Sequence, residues 1–103
     1  MSLDFEELYK ANFIRCSRSF HVLSDWSETD WACAAAGEVG EMCNLIKKRR
    51  RGEDISTEEV GKEIADAVIY LDLLATRMEM HLGDLVRAKF NEVSDRVHSE
   101  VKL

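Results

Sequence analysis

Residues 56–80, STEEVGKEIADAVIYLDLLATRMEM, carry the clearest helical pattern in the chain. Ser56 can cap a helix with its side chain while Glu59 reaches back to the Ser56 amide, which is the capping-box arrangement. Apolar residues then recur every three or four positions, at Val60, Ile64, Ala67, Leu71, Leu74 and Met78. The pattern predicts a helix from Ser56 to about Met80.

Two helices are predicted before this one. The first covers about Leu3–Leu23, where apolar residues recur irregularly and no helix breaker intervenes. The second covers about Asp30–Arg50, with Ser27 or Thr29 as its N-cap and Gly52 just beyond its C-terminal end.

A fourth helix is predicted after a short break at residues 81–83, from Asp84 to about Val97. The chain has no proline and only five glycines, a composition that favours long helices over a sheet. We therefore predict an all-α fold, an antiparallel bundle of about four helices, as a single domain over residues 1–103.

The composition limits which binding partners and which cellular compartment we expect for this protein. The net charge of −6 counts against binding to a nucleic acid polymer. No apolar signal region or membrane-spanning stretch is visible, so we expect a soluble cytoplasmic protein without a membrane partner. Cys16, Cys33 and Cys43 lack CxxC spacing, and we expect them to be small core residues in a reducing compartment. The three histidines and the cysteines lack the ligand spacing of a zinc site.

Acidic residues flank the apolar stripes of the second and third helices. On a helical wheel, Glu38 lies at the edge of the second helix's stripe and Glu41 about 60° further round. Glu63 and Asp66 repeat this arrangement on the third helix. The stripe that Glu38 borders is formed by Trp31, Ala32, Ala35, Val39, Met42 and Ile46.

Four converging carboxylates would repel one another strongly if they were partly buried. A hard divalent cation such as Mg²⁺ removes that repulsion, because it binds carboxylate oxygens and keeps water ligands for a substrate's phosphates. The alternative is that all four are solvated residues on acidic helices. The pattern alone suggests a metal and names no reaction.

Two segments resemble a known family. Residues 36–42, AGEVGEM, followed by residues 62–71, KEIADAVIYL, are similar to the E-x-x-E…E-x-x-D signature of MazG-like nucleotide pyrophosphohydrolases. These enzymes belong to the all-α NTP pyrophosphatase superfamily. The similarity continues to residues 89–96, KFNEVSDR, and so covers about Trp31–Arg96.

The resemblance implies hydrolysis of a (d)NTP to the (d)NMP and pyrophosphate with Mg²⁺, or Mn²⁺ as a substitute, in nucleotide-pool house-cleaning. Glu38, Glu41, Glu63 and Asp66 would bind the metal, and Glu38 or Glu41 could instead activate water. Many relatives carry another glutamate at the position of Gly37. The superfamily commonly forms dimers or tetramers, so a homodimer or homotetramer is expected. The alternatives are a relative acting on dUTP or phosphoribosyl-ATP, and a noncatalytic helical interaction module that retains the acidic site.

The remaining candidates would contact the substrate, and each also has a structural interpretation. Tyr70, Trp31 and Trp26 could line a base pocket or belong to the core. His21 is a weaker candidate for the same pocket. Lys48 could attract phosphates, although cations in the last turn of a helix also favour its dipole. The positions that look like phosphate contacts by resemblance are Lys89, Asn91 and Arg96, although their spacing alone suggests solvated residues.

Overall fold

Four α-helices make up most of the protein in a computed structural model that describes residues 2–103. They are α1 (Phe5–Arg15), α2 (Glu28–Arg50), α3 (Thr57–Arg77) and α4 (Leu82–Arg96). No strand occurs in this part of the chain, and the prediction of an all-α protein is confirmed. None of the helices found in residues 2–103 is long and apolar enough to cross a membrane.

Capping boxes begin both long helices. The Ser27 hydroxyl accepts from the Asp30 amide at 3.2 Å, and the Asp30 carboxylate accepts from the Ser27 amide at 2.9 Å. Ser56 and Glu59 form the same pair of bonds, at 3.1 and 2.8 Å. The sequence therefore predicted the start of α3 correctly, and Ser27 rather than Thr29 caps α2.

The ends of the helices differ more from the predictions. α1 stops at Arg15, because the chain continues as a π-helical turn (Cys16–Phe20) in which the Cys16 carbonyl accepts from the His21 amide at 2.9 Å. A short 3₁₀ turn follows at Leu23–Asp25, so the prediction of a regular helix as far as Leu23 was wrong. Gly52 follows α2 with φ +95°, a left-handed conformation that favours glycine.

α2 and α3 form an antiparallel hairpin. The rings of Trp31 and Tyr70 lie 6.2 Å apart, and further along α2 Glu38 lies beside Glu63, so one helix runs up as the other runs down. α1 packs against α3 on its far side, where the Asn12 amide donates to the Ile69 carbonyl at 3.0 Å and to Asp72 at 2.9 Å. α4 contacts both α1 and α3.

The apolar stripes predicted for α2 and α3 divide between two surfaces. Half of their residues are buried or half-buried between the two helices, namely Trp31, Ala35 and Met42 on α2 and Val60, Ala67 and Leu74 on α3. The other half are exposed, namely Ala32, Val39 and Ile46 on α2 and Ile64, Leu71 and Met78 on α3. The interpretation of each stripe as a single core-facing surface was therefore wrong for this chain by itself.

The cysteines also differ from expectation. Cys16 is buried beside Trp31 and Leu73, whereas Cys33 and Cys43 are exposed. The prediction of three core cysteines holds for Cys16 alone, because Cys33 and Cys43 lie on sides of α2 that α3 does not cover. All three are free thiols.

Candidate metal centre and adjoining cavity

Three of the four predicted carboxylates come together where α2 faces α3. Glu38, Glu63 and Asp66 each place one carboxylate oxygen within 4.8 Å of the others. Glu38 and Glu63 are half-buried because they face each other across the hairpin, and Asp66 is exposed one turn further along α3. Within residues 2–103 this is the only cluster of histidine, cysteine or acidic side chains with metal-binding spacing.

The clustering changes the acidity of Glu38. A hydrogen bond with Glu63, partial desolvation and repulsion from neighbouring carboxylates raise the pKa of Glu38 from 4.5 to about 7. The hydrogen bond with Glu63 is the largest cause, because it favours the protonated form of Glu38. Glu38 therefore ionises less readily than an isolated glutamate when no positive charge is nearby.

Glu41 lies outside the group of three. Its side chain is exposed one turn after Glu38, and it still contributes to the repulsion that raises the pKa of Glu38. It therefore lies near the cluster, where a bound cation could attract it.

The chemistry of these residues fits Mg²⁺ or Mn²⁺. All the donors are hard carboxylate oxygens, which these ions prefer. Oxygens bound to one Mg²⁺ at about 2.1 Å lie at most about 4.2 Å apart. The three oxygens lie within 4.8 Å of one another, so the side chains would have to move closer together to bind one ion.

A cavity of about 390 Å³ adjoins the cluster. This volume lies within the range of small-molecule sites, about 300–1,000 Å³. Asp66 belongs both to the carboxylate cluster and to the wall of the cavity. The aromatic residues of the wall are Phe20, His21, Trp26, Trp31 and Tyr70.

Hydrogen bonds from separate elements hold the aromatic wall in place. Trp31 donates its indole N–H to the Leu23 carbonyl at 3.1 Å, and Arg77 donates to the Trp26 carbonyl at 2.9 Å. The Trp26 and Trp31 rings lie 4.6 Å apart, and His21 lies 4.9 Å from Trp26. The structure therefore brings together all three aromatic residues predicted for a pocket, and it adds His21, which the sequence had suggested only weakly.

Two polar residues of the cavity were missed by the sequence analysis. Asn12 is buried and bound to α3, and Arg15 is the only lysine or arginine among the described residues that line the cavity. Arg15 is exposed and forms no ion pair with the described part of the chain. Both lie on α1, whose irregular apolar spacing did not indicate which side faces α3.

The basic and amide residues suggested for phosphate binding lie elsewhere. Lys48 is half-buried in the last turn of α2, and Arg96 is exposed in the last turn of α4. Lys89 pairs with Glu92 at 2.9 Å, and Asn91 accepts from the Leu103 amide at 2.9 Å. None of the four lines the cavity beside the carboxylates.

Comparison with known proteins finds no match for this chain. No protein-family model matches the chain, and neither a curated protein nor a solved structure is similar enough to match.

Proposed function

We propose that the protein is a Mg²⁺-dependent pyrophosphohydrolase that converts a (deoxy)nucleoside triphosphate to the monophosphate and pyrophosphate. The observation that supports this most is the position of Asp66, which belongs both to the carboxylate cluster and to the aromatic cavity. A nucleotide has two parts that match these two features: a polyphosphate that binds through metal ions, and a flat base that stacks on aromatic rings.

The carboxylates would hold the metal at one end of the site. Glu38, Glu63 and Asp66 would supply the first ligands, and Glu41, which lies near them, would be available as a fourth. The metal would contribute charge neutralisation on the phosphates and a more acidic water. Arg15 supplies the positive charge that this chain itself places in the cavity wall.

The reaction adds one water molecule across the α–β phosphoanhydride bond. The water oxygen bonds to phosphorus, the bridging P–O bond breaks, and pyrophosphate leaves. A carboxylate accepts the proton of the attacking water, and Glu38 could take this role in place of binding the metal. Glu41, which is exposed beside it, is the alternative base.

The base would lie among Trp26, Trp31, Tyr70 and His21. Stacking of one base on an aromatic side chain contributes about 1–3 kcal/mol to binding. The wider proposal is that of a cytoplasmic house-cleaning enzyme of MazG-like type, acting as a homo-oligomer on surplus or noncanonical nucleotides. A preference for dUTP or phosphoribosyl-ATP would be set by this same aromatic wall.

The test is a panel of canonical and noncanonical nucleotides incubated with purified protein and Mg²⁺, with pyrophosphate release as the readout. We expect release from at least one nucleotide and its loss when EDTA removes the metal. Absence of release from the whole panel would instead favour a noncatalytic interaction module, and equal release in EDTA would contradict the metal-dependent mechanism.

A further inference from the structure

A buried polar pair joins α1 to α3, and the proposed hydrolysis gives it no role. Asn12 is 4% exposed and Asp72 is 1% exposed. The Asn12 side-chain amide donates to Asp72 Oδ2 at 2.9 Å and to the Ile69 carbonyl at 3.0 Å. We call Asn12 and Asp72 the clasp. No lysine, arginine or histidine within residues 2–103 forms an ion pair with Asp72, so the Asn12 amide is its compensating partner for burial.

Apart from the clasp, α1 is loosely attached to α3. Asn12 is the only residue of α1 that is buried, whereas the apolar residues Phe5, Phe13 and Ile14 are each 42–46% exposed. A cavity of about 170 Å³ lies between α1 and α3 beside Asn12, and the aromatic cavity borders Asn12 as well. Close packing normally leaves few such voids, so apolar contacts alone do little to fix the position of α1.

The two hydrogen bonds of Asn12 fix how α1 lies along α3. Their acceptors, Ile69 and Asp72, are three positions apart and therefore neighbours on one side of α3. A slip of α1 by one turn would move Asn12 by about 5.4 Å and break both bonds. Asp72 would then stay buried without its donor, which is unfavourable. A single buried asparagine sets the register of coiled coils in a comparable way.

The position of Arg15 depends on this register. Arg15 follows Asn12 by three residues and lies on the same side of α1, and both residues line the aromatic cavity together with Asp66 of α3. A one-turn slip would also move Arg15 by about 5.4 Å. Charge-assisted hydrogen bonds form at about 2.7–2.9 Å, so a guanidinium displaced this far would no longer reach the same anionic group.

We infer that the clasp sets the register of α1 on α3 and thereby holds Arg15 in the cavity wall. Asn12 and Asp72 are then positioning residues that act through Arg15. The role of Arg15 toward a phosphate rests on the proposed function, whereas the register of α1 does not. Replacing both partners of a buried polar pair by apolar groups can be nearly neutral for stability, so the clasp contributes mainly to a unique position of α1.

A natural thiol reports the position of α1 without any ligand. Cys16 directly follows α1, is 2% exposed and packs in the core with Trp31 and Leu73. A maleimide therefore reaches Cys16 only when the end of α1 moves away. Cys33 on α2 is exposed and serves as the control in the same molecule. Mass spectrometry of the peptides gives both labelling rates.

Variants of the clasp separate its register from stability. The double variant Asn12→Leu/Asp72→Leu removes both polar groups, and the adjoining cavity leaves room for the larger side chains. Its urea midpoint should change little, while Cys16 should react at least about tenfold faster relative to Cys33. Asp72→Asn keeps an acceptor oxygen for the Asn12 amide, so Cys16 should react within about twofold of the wild-type rate.

A milder variant keeps the test decisive if the double variant misfolds. Asn12→Gln adds one methylene, so its amide cannot form both bonds at the wild-type register, and Cys16 should again react faster. Wild-type protection of Cys16 in every folded variant that lacks the two bonds would overturn the inference. Equal loosening by Asp72→Asn and by the double variant would overturn it too, because the acceptor oxygen would then be irrelevant.

Kinetics test the link to Arg15. In the double variant kcat/KM should fall roughly 10- to 100-fold, and adding Arg15→Ala should lower it by less than about twofold more, because the two changes remove one contribution. A full further loss on adding Arg15→Ala would show that Arg15 acts without the clasp. If no nucleotide is hydrolysed, the proposed function fails, and the labelling of Cys16 still decides whether the clasp sets the register of α1.

Discussion

The two sides of the α2–α3 hairpin belong to the same helices and differ in the chemistry of their side chains. On one side, neighbouring carboxylates raise the pKa of Glu38 to about 7. On the other side, which we call the open face, nine uncharged side chains are exposed to solvent, namely Ala32, Ala36, Val39, Cys43 and Ile46 on α2 with Ile64, Val68, Leu71 and Met78 on α3. Each side is unfavourable for an isolated chain, one because of its charge and the other because of its apolar area. We therefore propose a cation for the carboxylate side and a protein surface for the open face.

This difference shows why the two sides should be tested separately. A change on the carboxylate side should affect metal binding and hydrolysis and leave the assembly intact. A change on the open face should affect the assembly and the stability first. Matched pairs of variants distinguish effects on one side from effects on the other.

The largest effect is expected from Glu63→Gln, which removes one charge from the cluster and keeps the shape of the side chain. Pyrophosphate release should fall by roughly 100- to 1,000-fold, as for other groups that hold a catalytic charge in place. Glu58→Gln, on an exposed carboxylate in the first turn of the same helix, should retain near-normal activity. Equal activities of the two variants would remove Glu63 from the site.

A smaller loss is expected from Arg15→Ala. A charge-assisted hydrogen bond to phosphate contributes about 1.5–3 kcal/mol, so kcat/KM should fall by roughly 10- to 100-fold. Arg18→Ala is the matched control, because Arg18 is also exposed and does not line the cavity. Binding of Mn²⁺ to the nucleotide-free protein should be unchanged in both. A loss of Mn²⁺ binding in Arg15→Ala would indicate a folding defect instead.

On the open face, Ile64→Ala should behave as a core substitution once the chains associate. We expect it to lower the free energy of unfolding by about 2–4 kcal/mol per chain, as measured by urea denaturation at high protein concentration. Lys62→Ala, an exposed polar position on the same helix, should change it by less than about 0.5 kcal/mol. An Ile64→Ala cost as small as that of Lys62→Ala would mean that the open face stays exposed in solution.

The smallest effect concerns pH. The pKa of Glu38 is raised in the folded protein, so its contribution to stability is present below about pH 4.5 and is lost as the pH rises through about 7. Burial also raises the pKa of Asp72, an effect in the same direction. The melting temperature of metal-free protein should fall by at most a few degrees between pH 5 and pH 8, because solvent screens the half-buried Glu38.

Two comparisons assign that pH effect to the carboxylates. Glu38→Gln should flatten the profile, and added Mg²⁺ should restore stability at pH 8 in the wild type. A steeper fall in Glu38→Gln than in the wild type would contradict the assignment.

Local signals in the sequence were sufficient to predict the long helices and the proximity of three of the four carboxylates. The capping box at Ser56 and Glu59 involves residues three apart, and it predicted the start of α3 correctly. Glu38, Glu63 and Asp66 could be brought together from helical spacing alone, because they face each other across a hairpin joined by a short loop.

Contacts between distant residues could not be predicted in this way. Val39 and Ile64 were assigned to core stripes, because each helix carries two apolar stripes about 100° apart and a wheel does not show which one meets the partner helix. Arg15 was missed for a related reason. Its place in the cavity depends on how α1 packs on α3. Asn12 on α1 fixes that packing through hydrogen bonds to Ile69 and Asp72, which lie 57 and 60 positions further along the chain.

The central claim is that water splits the α–β phosphoanhydride bond of a bound nucleotide. Phosphorus NMR of wild-type protein with Mg²⁺ and a nucleotide that the panel identifies as a substrate tests it most directly. The account predicts nucleoside monophosphate and pyrophosphate in equal amounts, with no nucleoside diphosphate at any time. Formation of nucleoside diphosphate and inorganic phosphate, or an unchanged triphosphate spectrum with every nucleotide, would contradict it.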